Sequence, residues 1–264
     1  AAKKAIEQAG IDPAQIDLII LGTSSPDYCF PNGACEIQAK VGAVNAACFD
    51  ISSACTGFVF ALSTAHAYIS SGLYKTALVV GADLLSKLVD WTDRSTCVLF
   101  GDGAGAAVLK AEETGIIDMM MGADGTKGDV LACTSRTVGN FLTGTKPELG
   151  FMTMDGQEVF KFAVRKVPES VLELLNRTGT KKEDIKYYVL HQANERIIEA
   201  AARRLKEPME KFPMTIGQFG NTSTASIPLL LDDMIQKDML KRGDKIIMSG
   251  FGAGMTWGAV LMEW

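Results

Sequence analysis

The chain has only two histidines, His66 and His191, so chemistry that needs an imidazole has two places to find one. No apolar run approaches the roughly 18 residues of a membrane span, and no basic segment followed by an apolar stretch opens the chain. No export signal is therefore read, and a cytoplasmic or equivalent reducing compartment is expected, with no membrane partner. The six cysteines, Cys29, Cys35, Cys48, Cys55, Cys97 and Cys133, show neither C-x-x-C spacing nor the density of a disulfide scaffold. That pattern argues for free thiols and against a zinc site. Positive charge is in short supply as well. With 26 Lys and Arg against 31 Asp and Glu, the net charge of −5 argues against a nucleic-acid partner. Any anionic partner must dock on a local basic patch.

What is present is ample apolar material, 47% of residues, enough for a large core. Two stretches follow one pattern of helix end, glycine cap, polar loop and strand: Gln8 to Leu21 and Arg177 to Leu190. An offset of 169 residues relates Gly10 to Gly179, and the same offset relates Gly81 to Gly250 at the ends of apolar strands. A shared period of this length marks a duplicated unit. Gly103 to Leu109 and Gly252 to Leu261 match only after a shift, because the first unit carries an extra loop around Leu84 to Ser95. Apolar segments at Leu18 to Leu21, Ala47 to Ile51 and Ala77 to Val80 alternate with helical stretches such as Gly57 to Ser71, which reads as α/β with buried strands. The expected division is residues 1–110 for the first half and 111–264 for the second. The second unit opens with a strand near Gly115, so a complete repeat would leave the first half without about 54 residues at its start.

Cys55 falls where a strand gives way to a helix, in Asp50-Ile-Ser-Ser-Ala-Cys55-Thr-Gly57. A helix N-terminus stabilises a thiolate and lowers the cysteine pKa, which makes a nucleophile; a small buried hydrophobe is the alternative. His191 ends the strand Lys186 to Leu190, at the crevice where α/β proteins place ligands, unless it is a structural histidine. Asn221, in Gly220-Asn-Thr-Ser-Thr-Ala-Ser226, lies near the offset equivalent of Cys55, position 224; an N-cap cluster is the plainer reading. Pseudo-twofold symmetry would bring the Cys55 and Asn221 loops face to face. His66, about three helical turns beyond Cys55, is expected to be a packing residue.

Taken together, Ser52-Ser-Ala-Cys55-Thr-Gly57, His191-Gln-Ala-Asn194, Gly220-Asn-Thr-Ser223 and Gly250-Phe-Gly-Ala-Gly-Met-Thr-Trp-Gly258 resemble the β-ketoacyl-acyl carrier protein synthase III family of the thiolase superfamily. The resemblance runs the length of the chain. It implies a thiolase-like fold of two duplicated halves in αβαβα layers, a homodimer, residence in a bacterial cytosol or plastid stroma, and a Cys-His-Asn triad at Cys55, His191 and Asn221. It implies an acyltransferase that opens fatty acid synthesis. An acyl-CoA acylates Cys55, and malonyl-acyl carrier protein is decarboxylated and condensed onto the acyl group, with no metal or redox cofactor. The oxyanion would be held by backbone N–H groups of Cys55, Gly252 and Gly254. By the same resemblance Arg94 contacts CoA, Phe30 closes the acyl pocket across the dimer, and Lys161, Arg196, Arg203 and Arg204 dock the carrier protein. Each has a plainer alternative: a salt bridge of Arg94 with Asp90 or Asp93, Phe30 as core, the basic residues as a solvated face. A degradative thiolase would need a second cysteine in the C-terminal glycine loop, and elongating synthases a second histidine where Asn221 stands; neither is present. A catalytically silent thiolase-fold subunit for dimerisation or docking is the competing class, and a condensing enzyme acting on CoA substrates alone is a third reading. Gly101-Asp-Gly-Ala-Gly-Ala106 resembles a dinucleotide fingerprint with misplaced spacing and is expected to be a tight turn between strands. Met119 to Met121 are expected to pack in the core.

Overall fold

Segments apolar at every residue are stable only when both faces are covered, whereas alternating or one-sided patterns belong at the periphery. That rule sorts the elements of the computed structural model, which describes residues 1–264. In chain order these are α1 (Ala2–Ala9), β1 (Leu18–Gly22), α2 (Gly33–Val41), β2 (Ala47–Ile51), α3 (Gly57–Ser70), β3 (Thr76–Leu84), β4 (Asp102–Lys110), β5 (Ile116–Ala123), β6 (Leu131–Cys133), β7 (Met152–Met154), α4 (Gly156–Thr178), β8 (Ile185–Leu190), α5 (Glu195–Leu205), α6 (Ile216–Phe219), α7 (Ser226–Gln236), β9 (Lys245–Gly252) and β10 (Thr256–Glu263).

Two four-stranded sheets form, ordered β2-β1-β3-β4 and β5-β10-β9-β8, with β6 and β7 as a separate ribbon. In β1, Leu18 and Ile20 face a core shared with Phe58, Val189, Ile227, Met248 and Val260, drawn from both sheets and from α3 and α7. Ile19 and Leu21, one residue out of phase, face Ile6 and Ala34 of the outer helices α1 and α2. The second sheet's outer face packs Ile247 and Leu261 against Phe162, Leu174 and Ile198 of α4 and α5. The layers are therefore αβαβα, as the resemblance implied. The central helix α3 is apolar nearly all round, while α5 buries Ile197, Ile198, Ala201, Ala202 and Leu205 and turns Glu195, Arg196, Arg203 and Arg204 outward.

The 169-residue offset holds in three dimensions. It carries the short 3-10 turn Pro13–Gln15 onto Lys182–Asp184, the turn Ala54–Thr56 onto Ser223–Ala225, and the starts of α3 and β3 onto those of α7 and β9. Gly10 and Gly179 both cap their helices in the left-handed region, at φ of 63° and 66°. Two local expectations are corrected. Gly101 to Ala106 is no tight turn between strands: β4 itself starts at Asp102, and its glycines let α7 pack against the bare strand. A Cβ at Gly105 would lie 2.6 Å from Pro228 Cβ. Of the methionine run, Met119 and Met120 pack as expected, but strand alternation at the sheet edge leaves Met121 exposed.

Candidate active site

A nucleophile is best presented at the end of a strand, on a turn tight enough to project its side chain. After β2 ends at Ile51, Ala54 takes a left-handed φ of 45°, and Cys55 follows in the turn that leads into α3 at Gly57. The turn is pinned from the second half. Thr56 Oγ1 donates to the Ser53 carbonyl at 2.6 Å and lies 2.8 Å from Thr256 Oγ1 of β10. Gly252, at the end of β9, lies against Cys55 so closely that a Cβ there would come within 2.8 Å of the Cys55 nitrogen.

The expected fall in the Cys55 pKa is overturned. The side chain is 7% exposed, and burial pushes the thiol up to about 12; the Ser223 hydroxyl pulls it partly back, and the Asp83 carboxylate raises it. Loss of hydration is the largest of these effects. Burial thus favours the neutral thiol at Cys55 near neutral pH.

His191 follows β8, with its backbone N–H bonded to the Ser249 carbonyl at 2.8 Å and its ring edge-on to Phe251 at 5.4 Å between centroids. Its Nδ1 lies 2.6 Å from Ser226 Oγ at the start of α7. Ser226 Oγ also accepts the Gln192 N–H at 3.4 Å, and its own proton has no other acceptor than Nδ1. Hydrogen-bond bookkeeping therefore places the imidazole proton on Nε2, which is buried and has no partner. Burial also pushes the imidazole down to about 3.

The sign of the resulting pH dependence is fixed. The unfolded chain takes up a proton at His191 below about 6.5 while the folded protein does not, so stability falls as pH drops from about 6.5 toward 3. Between pH 7 and pH 5 this amounts to about 2 kcal/mol. Urea unfolding of the wild type and His191→Gln at the two pH values should show that increment in the wild type and its absence in the variant.

Asn221 is held by its backbone on the loop before β4, donating to the Leu99 carbonyl and accepting from the Gly101 N–H, both at 2.9 Å. Its Oδ1 accepts the Ser223 N–H at 2.9 Å, a cap-like bond that orients the carboxamide and leaves its NH2 as the free donor. Two cavities meet at Cys55. One, about 370 Å³, is lined by Leu85, Leu88, Leu131, Cys133, Met152 and the Ala253-Gly254 loop. The other, about 130 Å³, is lined by His191, Asn221, Phe251, Gly252, Asn194 and Ile197. Cys55, His191 and Asn221 thus share one site, with a neutral thiol between an apolar chamber and a pair of N–H donors.

Of the outlying residues, Phe30 is 85% exposed, which removes the core alternative. Arg94 is exposed and forms no salt bridge: Asp90 and Asp93 accept instead from Thr92 and Ser95. Lys161 pairs with Glu158 at 2.7 Å, Arg203 with Glu199 at 3.6 Å, and Arg204 donates to the Val164 carbonyl at 2.8 Å. His66 is a half-buried residue of α3, 3.3 Å from Ser70 Oγ and distant in the fold from the site. Sequence reasoning missed Ser226 and Asp83. The offset pairs Ser226 with Gly57, the one available signal that a hydroxyl there is not generic. Asp83, wholly buried, accepts five hydrogen bonds behind the site.

Comparison with known proteins decides the family. The model of the 3-oxoacyl-[acyl-carrier-protein] synthase III family matches residues 49–125, and that of its C-terminal region matches residues 175–264. The β-ketoacyl-[acyl-carrier-protein] synthase III of Clostridium acetobutylicum is 52% identical over all of this chain and 82% of its own length. The chain belongs to the β-ketoacyl-acyl carrier protein synthase III family. The enzyme of that name from Thermosynechococcus vestitus is 49% identical, again over the whole chain and 82% of its own length. The crystal structure of the Aquifex aeolicus synthase III superposes with a TM-score of 0.92 at 44% identity, covering 100% of this chain and 82% of that one. The fold is thus thiolase-like, and the protein is a condensing acyltransferase of fatty acid initiation. Nothing in the comparisons favours a silent subunit. No helix is long and apolar enough to cross a membrane.

Proposed function

We propose that this synthase III works through Cys55, His191 and Asn221 in two half-reactions, on an acyl-CoA and then on malonyl-acyl carrier protein. In the first, Cys55 sulfur bonds to the thioester carbonyl carbon, the carbon–sulfur bond to CoA breaks, and the thiol proton leaves with CoA. Backbone N–H groups of Cys55 and the Gly252 to Gly254 loop hold the oxyanion, and the N-terminus of α3 favours the developing negative charge. The acyl chain lies in the larger, apolar cavity. In the second, the malonyl carboxylate departs as CO2, and its electron pair forms an enolate whose oxygen accepts from His191 Nε2 and the Asn221 NH2. The enolate carbon attacks the acyl-cysteine, the Cys55 sulfur leaves, and a proton restores the thiol. The single observation that carries this reading is the buried, unpartnered Nε2 of His191 in the same cavity as Cys55 and Asn221. Acid–base chemistry and preorganised N–H groups account for every step, so neither a metal nor a redox cofactor is required.

The partners follow from the surface. Arg196, exposed and unpaired on α5, neighbours Asn194 and Ile197 at the wall of the smaller cavity, and Arg203 lies two turns along the same helix. With Lys161 and Arg204 these form the docking patch for the acidic carrier protein. Arg94 takes the phosphate or base of CoA. The edge strand β2, just before the Cys55 turn, and the protruding Phe30 favour a homodimer in which Phe30 reaches the neighbouring acyl cavity. The duplicated halves divide at residues 1–110 and 111–264, and the site of work is cytoplasmic.

Incubation with a panel of acyl-CoAs, followed by intact mass and peptide analysis, should place one acyl group on the Cys55 peptide. Malonyl-acyl carrier protein should then discharge it as 3-ketoacyl product. Arg196→Glu with Arg203→Glu should raise the KM for carrier protein about tenfold and leave acylation by CoA unchanged. No adduct from any thioester overturns the catalytic assignment, and equal loss in both half-reactions removes the docking patch.

A further inference from the structure

The offset of 169 residues places Thr224 at the position Cys55 holds in the first half. The match is conformational as well as numerical. Ala54 and Ser223, the residues just before them, are both left-handed, with φ of 45° and 50°, and each starts a short turn that leads into α3 or α7. Such backbone is uncommon outside glycine and persists only where the surroundings hold it. No substrate chamber opens at Thr224. Where the second half has His191 and Ser226, the first half has their offset partners Gly22 and Gly57. The Thr224 methyl fills the space: a Cβ at Gly22 or Gly57 would come within 2.7 or 2.9 Å of Thr224 Cγ2.

The polar end of Thr224 is equally committed. Its hydroxyl lies 2.8 Å from the Ala54 carbonyl and 2.8 Å from Asp83 Oδ2, sharing one proton between two acceptors. Its backbone N–H donates to the same carboxylate oxygen at 3.2 Å. Asp83 Oδ1 is in turn fixed by the Ser24 N–H and the Thr23 and Ser25 hydroxyls. The left-handed residue that aims Cys55 is thus tied by its own carbonyl to Thr224, and through it to a buried anchor.

We propose that Thr224 is a positioning residue for the first half-reaction: its hydroxyl, anchored on Asp83, holds the Ala54 carbonyl and so sets the direction of the Cys55 thiol. This rests on Cys55 being the acylated residue. The effect is selective, because the His191 and Ser226 bonds involve no atom of Thr224.

The test compares Thr224→Ala with Thr224→Ser, which differ from one another by the hydroxyl alone. Single-turnover acylation from acyl-CoA, with the adduct mapped to Cys55 in the wild type, should fall about fivefold in the alanine variant, the loss of one net hydrogen bond. It should return to within twofold of wild type in the serine variant. Malonyl-thioester decarboxylation should change less than twofold in both. Equal acylation rates in the two variants, or a parallel loss of both half-reactions, would overturn the proposal. Failure to find the adduct on Cys55 in the wild type would instead overturn the nucleophile assignment.

Discussion

Cys55→Ala is expected to lower condensation about 10³-fold or more while malonyl-thioester decarboxylation continues. In the proposed reaction the bond from sulfur to the acyl carbon is the only place the first substrate is stored, and removal of a covalent nucleophile is among the largest single losses an enzyme shows. The proposed decarboxylating donors belong to other elements. His191 comes from the end of β8 and is fixed by Ser226; Asn221 is fixed by its backbone bonds to Leu99 and Gly101. Neither depends on the thiol for its orientation. The measurement is CO2 release alongside 3-ketoacyl product in the same folded variant. Loss of both together would mean that the two half-reactions are not divided as the geometry indicates.

His191→Ala should produce the complementary defect. Decarboxylation should fall about 10²- to 10³-fold, the usual cost of removing one oxyanion donor from a water-excluded site. Acylation of Cys55 by acyl-CoA should drop far less. The reason is that burial disfavours the charged form of both partners, pushing the thiol up and the imidazole down, so a thiolate–imidazolium pair is disfavoured at this site. An equally large loss of acylation, read by adduct formation on the Cys55 peptide, would show that His191 serves as the base for the thiol. Activity of the wild-type second half-reaction should also be flat from pH 5 to 8, since Nε2 stays protonated and neutral across that range.

The sequence by itself determined the buried strands and the repeat, and its motifs pointed by resemblance to the αβαβα layers and the proposed triad. Runs apolar at every position, as in Leu18 to Leu21, demand cover on both faces, and the one-sided pattern of α5 demands an outer place. The repeat was legible because a duplicated backbone reuses its glycine caps at a fixed distance, and Cys55, His191 and Asn221 stood out as candidates because they lie in short, specific motifs. Tertiary structure decided the electrostatics and the support. Whether Cys55 is lowered by the helix or raised by burial depends on how much water the second half excludes, and Gly252, Phe251 and Ser223 come from segments more than 150 residues away. The same holds for the His191 tautomer, which is set by Ser226 on a different helix, and for the tie from Asp83 through Thr224 to Ala54. Local pattern encodes which surfaces must be buried; hydration and hydrogen-bond partners depend on which segments meet, and only the folded chain fixes that.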